Sequence, residues 1–257
     1  MKVPILSDLK SKGESPEYLF WVGCAGSFDD RSKKVTKAFV KILNKANISY
    51  AILGKEESCT GDPAKRAGNE FLFQMKAIAN IETLNSYSIK NIITTCPHCF
   101  NTIKNEYPEL GGNYNVIHHT TFINNLIKEK RISIGGGYYK GKKITYHDPC
   151  YLGRANGIYE APREVIEKLD AELVEMKSCK SKSLCCGAGG AQMFKEPEKG
   201  IKDINIKRSE EAINTDSEIV AVSCPFCNTM MSDGMTSKEK NINVLDIAQM
   251  IEKAEDL

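Results

Sequence analysis

Two near-identical segments, TTCPHC at 94–99 and VSCPFC at 222–227, each carry a pair of thiols three positions apart with a proline between them. A thiolate, not a thiol, binds metals and attacks electrophiles. A two-residue spacer lets both sulfurs of Cys96 and Cys99, and of Cys224 and Cys227, reach one site. Upstream, CTG at 59–61 is matched by CCG at 185–187, and Cys24 and Cys150 each close an apolar, β-rich run. Adjacent Cys185 and Cys186 cannot easily bridge each other, because the peptide between them strains a disulfide.

Cys24, Cys59, Cys96 and Cys99 thus recur, at a nearly constant offset, as Cys150, Cys185, Cys224 and Cys227. Long internal periodicity signals duplicated units, each here large enough to be a domain. Three chemistries suit the thiols. Structural zinc takes four cysteine or histidine ligands, usually in compact spacings, whereas the second half offers five cysteines over a long stretch. A thioredoxin-like exchanger fits Cys96-Pro-His-Cys99 after a strand, but explains neither the duplication nor CCG. An iron–sulfur centre, held by several thiolates, accounts for both.

The elements that must position these sulfurs are legible in outline. EYLFWVG, SYAILG, KNIITT and NVIHHT in the first half, and KKITYH, AELVEMK and EIVAVS in the second, read as strands. Between them lie helical patterns. Ala67, Phe71, Met75 and Ile78 form an apolar stripe, with Asp62 as N-cap and Pro63 opening the helix. Ile158, Val165, Ile166 and Leu169 form another. Strands alternating with helices predict parallel sheets covered by helices, with ligands gathered at the carboxyl ends of the strands. The cysteines fall at those ends. Pro97 and Pro225 suit first helical positions, which places both Cys-Pro-x-Cys pairs at helix N-termini. IGGGYYKGKK (134–143) reads as a linker, dividing the chain into domains 1–134 and 143–257.

The 257 residues are 41% hydrophobic and 26% charged, with a formal net charge of +2. That balance is globular and offers no broad attraction to nucleic acid. The first residues lack an apolar core of signal-peptide length, and no run would span a bilayer. A cytoplasmic location is expected, where ten cysteines point to metal or redox chemistry rather than disulfides. No ferredoxin-type cysteine run and no G-x-G-x-x-G after a strand appear, so neither a chain of further clusters nor a bound dinucleotide is expected.

With Cys-x34-Cys-Cys-Gly-x36-Cys-x2-Cys in its second half, the sequence resembles the CCG, or cysteine-rich, domain proteins. These include the cysteine-rich component of heterodisulfide reductase and the iron–sulfur components of glycolate oxidase and lactate utilisation systems. The resemblance spans nearly the whole chain as two tandem copies. It implies an α/β fold of two Rossmann-like domains related by pseudo-two-fold symmetry, each a parallel sheet flanked by helices. It also implies a non-cubane [4Fe–4S] cluster on Cys150, Cys185, Cys186, Cys224 and Cys227. In the first half Thr60 replaces the second adjacent cysteine. Cys24, Cys59, Cys96 and Cys99 then support a [4Fe–4S] cluster, a [2Fe–2S] cluster or none.

The implied function is that of an iron–sulfur subunit of a larger oxidoreductase. It would pass electrons between a flavoprotein or ferredoxin-type subunit and a disulfide or quinone-linked acceptor, with peripheral attachment to the inner membrane through a partner. A zinc-stabilised or metal-free binding scaffold is the alternative. His147, in YHDPCYLGR beside Cys150, is the candidate catalytic residue, a proton carrier at a redox centre; hydrogen bonding to a loop is its other reading. His98 is expected to tune or shield a centre, His118 and His119 to lie at the surface, and Cys179 to be an exposed spare thiol in a solvated, lysine-rich loop.

Overall fold

The computed structural model describes residues 3–135, 137–196 and 199–257. Eight strands form two parallel four-stranded sheets. The first contains β1 (Tyr18–Trp21), β2 (Tyr50–Ala51), β3 (Asn91–Thr94) and β4 (Asn115–His118), in the order β2-β1-β3-β4. The second contains β5 (Lys143–Tyr146), β6 (Glu172–Leu173), β7 (Ile219–Val222) and β8 (Asn243–Asp246), in the equivalent order β6-β5-β7-β8. Leu19, Phe20 and Trp21 of β1 and all of β7 are buried, as expected of central strands covered on both faces.

Helix α1 (Leu6–Ser11) precedes the first sheet, and α2 (Gly23–Phe28), α3 (Asp30–Lys45), α4 (Asp62–Arg66), α5 (Glu70–Ser86), α6 (Pro97–Asn101) and α7 (His119–Lys128) connect or follow its strands. In the second unit these roles fall to α8 (Glu160–Lys168), α9 (Ile204–Ile213), α10 (Pro225–Ser237) and α11 (Ile247–Ala254). Packing of α3 on α11 is mirrored by α7 on α8, and α7 also meets α11. Exchanging α3 with α8 and α7 with α11 reproduces this set of pairs, the signature of pseudo-two-fold symmetry. The largest apolar cluster runs through the seam, joining Phe20, Phe39 and Phe122 to Tyr146, Val165, Ile247 and Ile251. Phe39 packs edge-on against Phe20, with ring centroids 5.1 Å apart.

Several expectations change. The predicted Ala67–Ile78 stripe is not a core face: Phe71 is 76% exposed and Met75 54%. The helix breaks at Gly68, where φ is +86°, and restarts after Asn69, whose side chain accepts from the Leu72 N–H. That interruption shifts the phase, so α5 buries Phe73, Ala77, Ile81 and Leu84 instead. Asp62 is the first residue of α4 rather than its cap; Gly61 holds the cap position. Ile158 precedes α8, which buries Val165 and Ile166. His118 and His119 are fully buried, not surface residues. They end β4 and open α7 at the seam, where His119 Nε2 lies 2.9 Å from Asp246 Oδ1 in the other unit. Pro97 and Pro225 do open α6 and α10, with Cys96 and Cys224 as N-caps.

Because Phe39 belongs to a cluster drawn from both sheets, Phe39→Ala should destabilise the chain by about 3–5 kcal/mol while leaving one unfolding transition. Urea unfolding followed by the fluorescence of the single tryptophan, Trp21, and by far-ultraviolet circular dichroism should coincide. Separate transitions would mean that the two units fold independently.

Candidate functional site: two thiol centres

Both centres are assembled where strands end. The backbone leaving β1 passes over the first: a Cβ on Gly23 would sit 3.3 Å from Cys99 Sγ. Half-buried Glu57 pins this turn by accepting the N–H groups of Val22 and Gly23 at 3.0 and 2.5 Å; desolvation pushes its carboxyl up to about 7 against those two bonds. Cys24, half-buried, directs its thiol at Cys59, which raises Cys24 and brings Cys59 down to about 7. Cys96 and Cys99 face each other from the first turn of α6.

In the second centre the thiols form a chain of contacts. Cys185 lies well below its ordinary value because the neighbouring thiols of Cys150 and Cys186, with the backbone N–H groups of Gly187 and Gly189, favour its thiolate. Neighbouring Cys185 pushes Cys186 up to about 12. Cys227 Sγ approaches Cys186 Sγ at 3.3 Å and also contacts Cys224. The neighbouring thiols of Cys224, in the other unit, and Cys99 lower Cys96 against the effect of burial. The two centres are neighbours: Phe226, between Cys224 and Cys227, lines the cavity of the first four cysteines and lies 4.9 Å from the His98 ring.

The glycine of each motif has a defined task. Gly187 (φ +95°) turns its N–H onto Cys185 Sγ at 3.3 Å, and Gly61 (φ +89°) turns its own onto Cys59 Sγ at 3.5 Å. Left-handed backbone of this kind favours glycine.

The spacing of the sulfurs bears on what they can hold. A tetrahedral zinc with bonds of about 2.3 Å brings its sulfurs within about 4 Å of one another. Among the described residues, the only trio of possible ligand atoms mutually within 4.8 Å is His147, Cys186 and Cys227. No three cysteine sulfurs meet that limit. As placed, neither cysteine set closes around one point within that limit.

Polar side chains that the sequence did not single out hold the walls. Arg163, buried in α8, grips Asp148 through both guanidinium nitrogens at 2.8 and 2.9 Å and also bonds Glu175. This fixes the His147–Cys150 turn, with Lys180 N–H adding a bond to Asp148 Oδ2. Arg208, fully buried in α9, donates to His147 Nδ1 at 2.9 Å. Burial, reinforced by this cation, pushes the imidazole of His147 down to about 3. In the first centre Asp62 bonds His98 Nδ1 at 2.9 Å and Arg66 Nε at 3.1 Å. Burial raises the Asp62 carboxyl, but these two partners outweigh it and leave it below its usual range. Arg66 also bonds Glu106. The available signal was a cation on a helix's buried stripe, as at Arg163 beside Ile166 and Arg208 beside Ala212.

His98 lines the boundary between the centres. Its ring lies 4.5 Å from Tyr151 and 4.9 Å from Phe226, and Phe226 continues to Phe194 at 5.8 Å. An apolar groove of about 270 Å³ runs beside this row to Cys24, with Phe28, Met193 and Phe194 on its walls. Cys179 stands apart and is half-buried rather than exposed. Burial raises its thiol, and its charged neighbours are Glu175, Arg163, Asp148 and Lys180.

Fold and site together define a duplicated α/β protein with one thiol centre in each unit. The cysteine-rich domain (CCG) family matches residues 18–104 and again 144–232, and the chain belongs to that family. It is 42% identical over 254 residues to EtfAB:quinone oxidoreductase of Syntrophomonas wolfei, covering 96% of this chain and 35% of that protein. It is 32% identical over 248 residues to one component of the dihydromethanophenazine:CoB–CoM heterodisulfide reductase of Methanosarcina barkeri, covering 94% of this chain and 59% of that one. The chain thus spans a third to three fifths of the length of these relatives. An aspartate racemase homologue of Pyrococcus horikoshii superposes with a TM-score of 0.38 at 12% identity, covering 93% of this chain and 96% of the other. No helix among the described residues is long and apolar enough to cross a membrane.

The two motif glycines should respond unequally to a methyl group. At Gly61 a Cβ would meet the Phe73 ring at 2.9 Å and the Phe73 carbonyl oxygen at 3.2 Å; at Gly187 the closest atom is the flexible Met230 terminus at 3.3 Å. Gly61→Ala should cost about 2–4 kcal/mol and Gly187→Ala about 1–2, read as shifts in urea midpoint.

Proposed function

We propose that this chain is the iron–sulfur-bearing, electron-transferring part of an oxidoreductase. Cys150, Cys185, Cys186, Cys224 and Cys227 hold one cluster, of the non-cubane [4Fe–4S] kind that the five-cysteine pattern implies. Cys24, Cys59, Cys96 and Cys99 hold a second with four thiolates. When bound, such clusters supply one-electron storage at potentials set by hydrogen bonding and exposure. The relatives' names, one a quinone oxidoreductase and the other part of a heterodisulfide reductase, support a disulfide or quinone-linked acceptor, with electrons exchanged through a flavoprotein or ferredoxin-type partner. Peripheral attachment to a membrane would come through that partner.

The observation that carries this reading is that Cys24, Cys59, Cys96 and Cys99 line one cavity together with Phe226, the residue between Cys224 and Cys227 of the other unit. It brings two redox groups to a common boundary, so that electrons arriving at one pass to the other within the chain. The residues around them do the rest. Gly61 and Gly187 donate N–H groups to sulfur, Asp148 with Arg163 holds the Cys150 turn, and the apolar surroundings exclude water. The groove beside Cys24 gives an acceptor a route to the first centre.

In anaerobically loaded protein, Cys185→Ser or Cys186→Ser should abolish or alter the paramagnetic signal of the second centre, and Cys179→Ser should leave it unchanged. Full reduction should produce spin–spin splitting between the centres, lost in Cys96→Ser. Damage from Cys179→Ser equal to that from Cys186→Ser, or two signals without mutual splitting, would contradict the reading.

A further inference from the structure

His147 follows β5 with its backbone N–H bonded to the Ala221 carbonyl at 2.9 Å, which fixes the start of its side chain. Its Nδ1 faces the Nε of Arg208. A guanidinium only donates hydrogen bonds, so Nδ1 must accept and the ring proton must sit on Nε2. Arg208 cannot swing away. Its other nitrogens bond the Ser178 carbonyl at 2.7 Å, Glu211 Oε2 at 2.6 Å and Ser183 Oγ at 3.4 Å. Among the described residues, His147 Nε2 is buried without a hydrogen-bond partner. A ring nitrogen of His147 lies within 4.8 Å of the sulfurs of Cys186 and Cys227; with Nδ1 taken up by Arg208, Nε2 is the one left to face them.

That trio resembles a metal site, but the tautomer argues otherwise. Ligation through Nε2 would need its lone pair, which requires either an imidazolate or a proton on Nδ1 pointing at the Arg208 donor. The equivalent position of the first unit agrees. Leu19 pairs with Ile92 as Thr145 pairs with Val220, so Trp21 corresponds to His147. An indole can only donate. Trp21 Nε1 is likewise buried without a partner, in the apolar cluster that contains Cys96 and Cys99.

We propose that Arg208 fixes His147 as its Nε2–H tautomer, making the ring a neutral hydrogen-bond donor to sulfur at Cys186 and Cys227 and not a metal ligand. Trp21 fills the same office in the first unit. Arg208 is a positioning residue acting through His147. An N–H bond to cluster or cysteine sulfur favours the reduced, more negative state, so both donors raise the potential of their centres. This inference rests on the iron–sulfur reading.

The test uses the anaerobically loaded full chain with 15N-labelled histidine. Electron spin-echo spectroscopy of the second centre should show only the weak nitrogen coupling of a hydrogen-bonded ring. His147→Phe should lower the reduced-to-oxidised ratio of that centre about tenfold at fixed ambient potential, a shift of about 59 mV for one electron. Arg208→Lys, which keeps a donor, should fall between it and the parent. Trp21→Phe removes one N–H with little change of shape and should shift the first centre alone, a readout that holds even if the His147 variant does not fold. The strong coupling of a bound nitrogen, or unshifted potentials in both variants, would overturn the proposal and leave the iron–sulfur reading standing. Absence of any paramagnetic iron would overturn that reading, and the proposal with it.

Discussion

A thiolate taken out of water must be met by a cation, a metal or several hydrogen-bond donors, and this chain gathers nine cysteines at the edges of its two sheets. Three of the nearby cations are already engaged by carboxylates. Arg66 serves Asp62 and Glu106, Arg163 serves Asp148 and Glu175, and Arg208 serves Glu211. Sulfur is met instead by other sulfur and by backbone N–H groups, among them those of Gly61, Gly187 and Gly189, with the ring N–H groups at positions 21 and 147 proposed to join them. Thiols stacked in this way share protons unevenly, as the opposite displacements of Cys150 and Cys185 show. A polynuclear metal group would resolve that conflict by binding every sulfur as thiolate.

Duplication explains how so many sulfurs meet. Each sheet carries cysteines beyond the ends of three strands, and the pseudo-two-fold brings the two Cys-Pro-x-Cys turns together, His98 beside Phe226. Divergence then separates their chemistry. Thr60 stands where Cys186 provides a fifth thiol, and Trp21 stands where His147 depends on Arg208 for its donor character. His98, with Phe226 as its counterpart across the pseudo-axis, places a carboxylate-bound imidazole on the first side of the boundary and a hydrocarbon ring on the second.

Much of this was legible in the sequence, for a physical reason. Short β-branched runs ending in cysteine fix both the strands and the rim on which the sulfurs sit, and the repeat reveals the pairing of the units. Other features depend on contacts that no local pattern encodes. The phase of α5 turns on one left-handed glycine at position 68, so a perfect apolar stripe became the solvent face. The histidine pair at 118 and 119 reads as a polar strand end, and only the seam against Asp246 makes it interior. Arg163 and Arg208 stand on the buried stripes of their helices, but nothing local names Asp148 and His147 as their partners. The last strand, β8, lacked a strong signal because only one of its four residues is buried.

The central claim is that these sulfurs hold inorganic iron sulfide. Its most direct test is the metal and acid-labile sulfide content of the chain after anaerobic loading and desalting, with iron and zinc both available during loading. Iron and sulfide retained together in near-equal amounts, with negligible zinc, is the result predicted here. Colourless protein retaining stoichiometric zinc and no sulfide would contradict it.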